Sequence, residues 1–179
     1  MKPLASAHGA NQIHNAATGE HIRFTSSARE HLIFENQIES GKLQPPAHSH
    51  PQQSERFTLL GGAFELQIAG RWHTLQPGET VIVPPNTAHT FRIPANHQSA
   101  NLEIEFSPAL DSETVFRTMA RAGRSGRIDP RYIGLIATQT KAGFHLSGLP
   151  AFVQRPVFHV LAWLAGVRGL RLETAQRSN

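Results

Sequence analysis

The chain has 179 residues, 39% of them hydrophobic and 17% charged, which suits one buried core and argues against disorder. It contains no cysteine, which excludes a disulfide framework, a thiolate metal site and a cysteine nucleophile. Net charge is +4 but unevenly spread: residues 1–106 hold seven Lys/Arg against nine Asp/Glu (−2), and residues 107–179 hold ten against four (+6).

In chain order, residues 1–17 read as an N-terminal arm. They lack the apolar centre of a signal peptide, so a cytoplasmic location is expected. From residue 18 to 107 the pattern is that of short strands. Residues 21–25 alternate, as do 31–38. The apolar run 57–60 stops at Gly61-Gly62, a hairpin signal. Phe64, Leu66 and Ile68 alternate with polar residues up to Ala69-Gly70. Strands at 72–75 and 80–83 are cut by Pro77-Gly78 and Pro84-Pro85, and two more follow at 89–93 and 102–106. Closely spaced short strands punctuated by Gly and Pro predict a mainly β sandwich or small barrel.

After Pro108 the periodicity becomes helical, so residues 108–179 are expected to form a helical extension packed on the barrel. Asp111 or Ser112 caps a segment with Val115, Phe116, Met119 and Ala120 on one face, closed by Gly123. Asp129-Pro130 opens a second helix with Ile133, Ile136 and Ala137 as its stripe, ended by Gly143. A third begins near Pro156 and carries Val157, Val160, Leu161 and Leu164. The apolar stretch 157–167 is interrupted by His159 and too short to span a bilayer, so no membrane partner is expected. Arginines 117, 121, 124, 127 and 131 make the tail basic, but no nucleic-acid recognition motif accompanies them. A solvated surface is the simpler reading, and no nucleic-acid partner is expected.

The chemistry concentrates in HSHPQQSE, residues 48–55. Residues i and i+2 of a strand share a face, so His48 and His50 aim at one point. Glu55 lies an odd number of residues beyond His50 and would face outward in an unbroken strand. Residues 51–54 offer a turn or bulge, after which Glu55 faces inward with Phe57 and Leu59. His89 follows the turn-rich PPNTA stretch and shares a face with Phe91 and Ile93. Three imidazoles and a carboxylate converge if the barrel closes, a ligand set suited to Fe(II), Mn(II), Ni(II), Co(II) or Zn(II). Phe57, Leu59, Phe91 and Ile93 are expected to line an apolar pocket around it. Phe64, Leu66, Val81, Val83 and Phe106 read as core. His73, His97 and His145 fit no motif, His159 reads as structural, and Trp72 and Trp163 are expected to pack. Glu35, Gln37 and Glu105 are candidate acid–base groups whose facing alternation leaves open.

Gly41, six residues, His48-Ser49-His50, four residues, Glu55, six residues and Gly62 together resemble the first motif of the cupin superfamily. Gly78-Glu79, Pro84-Pro85-Asn86 and His89 resemble the second. Asn86 stands where the family often has glycine, Ile93 where it often has asparagine, and the gap between Gly41 and His48 is one residue longer than the family's. The stretches NAATGEHIRF and RPVFHVLAWLAGVRGLR look like those of uncharacterised bacterial single-domain cupins with a helical C-terminus. The resemblance implies a cupin jelly roll, with His48, His50, Glu55 and His89 holding one divalent transition metal. It further implies a small-molecule ligand or substrate and a homodimer. Two functions fit: an oxygen-dependent, dioxygenase-like enzyme on a small organic molecule, and a non-catalytic metal-containing binding protein.

Overall fold

Alternation along the first two-thirds of the chain sorts side chains to two faces, and the apolar faces of two antiparallel sheets meet. A computed structural model describes residues 10–175, so residues 1–9 of the expected arm lie outside the described residues. The first sheet runs β1(Gln12–Asn15), β2(Glu20–Ser27), β3(Leu32–Glu39), β10(Ser99–Ser107), β5(Ser54–Gly62), β8(Thr80–Val83). The second runs β11(His145–Leu146), β4(His48–Ser49), β9(His89–Arg92), β6(Phe64–Ile68), β7(Arg71–Leu75). Phe34, Phe57, Phe64, Leu59, Leu66 and Leu102 are fully buried between them. The two facing antiparallel sheets make a mainly β jelly roll with a helical C-terminal part.

Local chemistry explains most boundaries. Ala69 and Gly70 both have positive φ (48° and 83°), the two-residue turn whose twist suits the β6–β7 hairpin. Gly61-Gly62, expected to close a hairpin, does something else. β5 pairs with β10 and β8, whereas β6 pairs with β7 and β9, so the chain crosses between sheets here. Gly62 has φ 85°, and a Cβ on it would come within 2.3 Å of the Ser99 carbonyl oxygen. Leu60 is skipped in the pairing with β10 and is exposed. The expected arm also differs: Gln12–Asn15 pair with β2 and extend the first sheet. The tight turn at residues 16–19, closed by Gly19 N–H to the Asn15 carbonyl (2.8 Å), carries no strong hydrophobic signal in sequence.

Three helices follow: α1(Ser112–Ala122), α2(Pro130–Gln139) and α3(Ala151–Val167). Helix α1 lies on the sandwich, where Phe116 meets Phe34 and Phe106 edge-on at 4.7 and 5.5 Å between ring centroids. The Asp111 carboxylate does not cap α1 but accepts from the backbone N–H groups of Lys141 and Ala142. Asp129 does cap α2, accepting from Arg131 N–H at 3.0 Å. Helix α2 ends at Gln139 rather than at Gly143, and its buried face is Tyr132, Gly134, Leu135 and Ile136.

Helix α3 starts a turn before Pro156, at Ala151. At this sixth helical position the ring removes the N–H that would bond the Phe152 carbonyl, and the exposure of Phe152 leaves that carbonyl open to water. Helix α3 packs on α2 around a second core of Ala122, Tyr132, Leu135 and Ala165. Gly134 makes this approach possible, since a Cβ on it would meet Ala162 N at 2.5 Å. The expected stripe therefore does not pack on the barrel: Val157, Val160 and Leu164 face solvent, as does Trp163 at 66% exposure. Trp72, 42% exposed, also stays at the surface and carries the Arg92 guanidinium 4.1 Å above its ring. No helix among the described residues is long and apolar enough to cross a membrane.

The crossover predicts a contrast between adjacent glycines. Gly62→Ala should cost about 1–3 kcal/mol in urea unfolding, from positive φ and the clash with Ser99. Gly61→Ala, with nothing within 4 Å of its added Cβ, should stay within about 0.5 kcal/mol. Equal losses would mean the corner is not tight.

Candidate metal centre

The two sheets bring His48, His50, Glu55 and His89 together at one end of the sandwich. One donor atom from each lies within 4.8 Å of the others. His48 on β4 is the register partner of His89 on β9, so the second sheet sets those two rings side by side. Glu55 comes from β5 of the first sheet, opposite Phe106 and Val83. The chain bends after His50 and re-enters as a strand at Ser54, which turns Glu55 inward with Phe57 and Leu59. Gln53, in that bend, is buried and donates to the carbonyls of Pro108 and Ala109 and to Ser112 Oγ. Asn86 (φ 60°) binds the same bend from the other motif, with its N–H on the His50 carbonyl (2.8 Å) and Nδ2 on that of Pro51 (3.2 Å).

Hydrogen bonds orient two of the rings. His48 Nδ1 donates to the Pro46 carbonyl at 2.8 Å and His89 Nδ1 to that of Thr87 at 3.0 Å. A carbonyl only accepts, so each Nδ1 carries hydrogen, and in the neutral ring Nε2 presents its lone pair to the centre. At His89 that lone pair faces Glu55 Oε2 at 2.9 Å. Two lone pairs at this distance need a cation: a proton on the ring, or a metal ion. His50 Nε2 lies 3.5 Å from the same oxygen without hydrogen-bond alignment, and neither of its buried ring nitrogens has a partner among the described residues. Metal bonds of about 2.1 Å place neighbouring donors about 3.0–3.5 Å apart. The His89 and His50 spacings from Glu55, 2.9 and 3.5 Å, fit that. The group thus has the donors, spacing and unsatisfied nitrogens that a divalent ion requires.

Electrostatics agree in direction. Partial burial first, then repulsion by His89 and His50, pull the His48 imidazole down to about 4. Burial pushes the Glu55 carboxyl up, but the imidazoles of His50 and His89 outweigh it and hold it at about 2. Burial also lowers His89, yet the Glu55 carboxylate and the Thr87 carbonyl overcome this and leave it raised.

The surroundings are aromatic. Phe57 lies 6.3 Å from the His89 ring, while Leu59 and Ile93 are buried in the core and Phe91 packs on Phe64. Two neighbours escaped the sequence reading. Phe106 meets His50 edge-on at 5.3 Å, and Phe144, from the helical part, meets His48 at 6.4 Å. Alternation in β10 marks Phe106 as inward but not its neighbour across the sheet. Nothing local marks Phe144. It arrives because β11 pairs with β4, His145 opposite Ser49 and Leu146 opposite His48. His73, His97, His145 and His159 are exposed.

The candidate acid–base groups point elsewhere. Glu35 pairs with Arg23 (2.6 Å) and Glu105 with Arg56 (2.5 Å), and Gln37 shares the outer face of β3 with Glu35. Inward on β2 and β3 instead are Glu20 and Asn36, where Asn36 Nδ2 donates to Glu20 Oε1 at 2.9 Å and burial raises the Glu20 carboxyl. The alternation of Glu20 with Ile22 and Phe24 was the available signal.

Metal-free protein followed by imidazole NMR should show His48 titrating near pH 4 and His89 above 6.5. His48, its pKa lowered by folding, costs stability as pH falls from 6.5 to 4. His89 acts oppositely: its contribution is full below 6.5 and is lost as pH rises through its raised value. Glu55→Gln removes the charge but leaves the burial, so His89 should then fall below 6.5. An unchanged His89 would sever the proposed coupling.

Residues 34–104 match the family model described as cupin domain. No curated protein matches the sequence. Among solved structures, an RmlC-like cupin from Shewanella frigidimarina NCIMB 400 is 20% identical, with TM-score 0.51, covering 63% of this chain and 96% of that one. KdgF from Halomonas sp. is 21% identical over 53% of this chain and 84% of that one, with TM-score 0.47. A Streptomyces Pac13 variant with uridine is 14% identical over 63% and 88%, also with TM-score 0.47. Pac13 is described as a nucleoside dehydratase.

Proposed function

We propose that the chain, whose residues 34–104 match the cupin-domain family model, is a cupin that binds one divalent transition metal through His48, His50, Glu55 and His89 and acts on a small organic molecule. The observation that carries the reading is the convergence of Nε2 lone pairs, two of them aimed by backbone carbonyls, on a buried carboxylate. Three imidazoles and one carboxylate suit Fe, Mn, Ni, Co or Zn. When bound, such an ion is a Lewis acid that orients and polarises an enolic or phenolic ligand and supports oxygen-dependent cleavage. Glu55 supplies the negative charge that offsets the dication, and Pro46 and Thr87 fix the ring orientations of His48 and His89. Phe57 and Phe106 exclude water from the inner side, whereas half-buried His48 marks the side a ligand reaches.

A second reading is a metal-containing binding protein that does not turn its ligand over. It is favoured by the outward ion pairing of Glu35 and Glu105, which leaves the expected acid–base groups off the site.

Purified protein should carry close to one transition ion per chain, and His48→Ala with His50→Ala should abolish it. Glu55→Gln should weaken metal binding, while Glu65→Gln should not, because Glu65 pairs with Arg92 on the outer face. Equal affinities would remove Glu55 from the ligand set. Metal retention should fall as pH drops through about 6, since protons compete for the imidazoles.

Activity is tested by anaerobic Fe(II) loading and oxygen-uptake screening with enols, flavonols and diketones. Uptake that depends on His48 and His50 supports the enzyme. Saturable binding of such a ligand without uptake supports the second reading.

A further inference from the structure

Helix α3 buries one side on α2 through Ala165 and the Gly134 contact and leaves the other bare. On that bare side Val153, Val157, Val160, Leu164 and Val167 are each 38–65% exposed, flanked by Phe152 at 77% and Trp163 at 66%. The five aliphatic positions are spaced four, three, four and three residues apart, the seam of a helix that packs against another helix. A helix apolar on nearly all sides is normally buried. These side chains leave on the order of 700 Å² in solvent, above the largest patch of most monomers and close to the roughly 800 Å² each partner gives a standard interface.

We propose that this face binds a second copy of the chain, α3 against α3, antiparallel about a two-fold axis beside Val160. The spacing is nearly symmetric about that residue: Val157 then meets Leu164 of the second copy, and Val153 meets Val167. Arg155, two residues from both Val153 and Val157, lies on the side of α3 away from this seam, so the seam itself is wholly aliphatic. A membrane surface fits less well. Helices that lie in the interface carry a strongly basic polar face, but α3 contains one arginine and its opposite side is already packed on α2.

The full chain should run in light-scattering chromatography at twice its monomer mass. Val160→Glu and Val157→Glu each place a carboxylate in the seam and should weaken association about a hundredfold or more, with unchanged circular dichroism and metal content. Both residues are exposed in the single chain, so neither change should impair its folding. The absence of native cysteine permits a geometric test. Val160→Cys should oxidise to a linked dimer, Val153→Cys alone should not, and Val153→Cys mixed with Val167→Cys should. Self-linking of Val153→Cys would overturn the antiparallel pairing. A dimer that survives both glutamate variants would overturn the use of this face. A wild-type monomer would overturn the proposal, and its binding to anionic phospholipid vesicles would assign the face to a membrane instead.

Discussion

One oxygen of Glu55, on the first sheet, lies 2.9 Å from the His89 imidazole of the second, and this contact joins the two sheets at their site end. A carboxylate only 6% exposed is tolerable only beside positive charge or donors, because desolvating an unpaired charge costs several kcal/mol. A proton on the His89 ring, whose affinity for it Glu55 raises, meets that condition, and a metal ion held by the three rings would meet it too. The β4–β9 register sets two rings, the bend after His50 brings the third, and Asn86 and Gln53 hold the bend against the second motif and the start of α1. The centre is thus preorganised, with ring tautomers set by backbone carbonyls rather than by mobile side chains.

The helical part is joined to this centre by more than a covalent link. Buried Gln154, in the first turn of α3, accepts from Leu146 N–H at 3.0 Å and donates to the Leu146 carbonyl at 2.9 Å. Leu146 belongs to β11, which pairs with the strand carrying His48. Phe158 of α3 meets Phe144 at 6.1 Å between centroids, and Phe144 meets His48. Helix α3 therefore reaches the mouth of the site through one hydrogen-bonded and one aromatic route.

The outer faces of the strands show the same economy of polar groups. Arg23–Glu35 and Arg56–Glu105 pair across neighbouring strands at the surface, where such pairs contribute at most about 1 kcal/mol each. Their main effect is on register, because a one-residue slip would drive these charges into a core of Phe34, Phe57 and Leu102.

By itself the sequence determined what depends on local periodicity and spacing. Alternation marked the strands from residue 21 onward, Asp129-Pro130 marked the start of α2, and two motifs named four residues that do converge. These were legible because strand facing repeats every two residues and because turn chemistry is written in Gly, Pro and Asn. What the tertiary structure decided are relations between distant segments. Gly61-Gly62 looks like a hairpin locally, and only the pairing of β5 with β10 and β8 makes it a crossover. Glu35 and Glu105 could face either way until the β3–β10 register put them outside. Phe144 reached His48 through a two-residue strand with no periodicity to read. The stripe of α3 was read correctly as apolar and wrongly as packed on the barrel. Hydrophobic spacing says that a face must be covered, and only the fold shows what covers it.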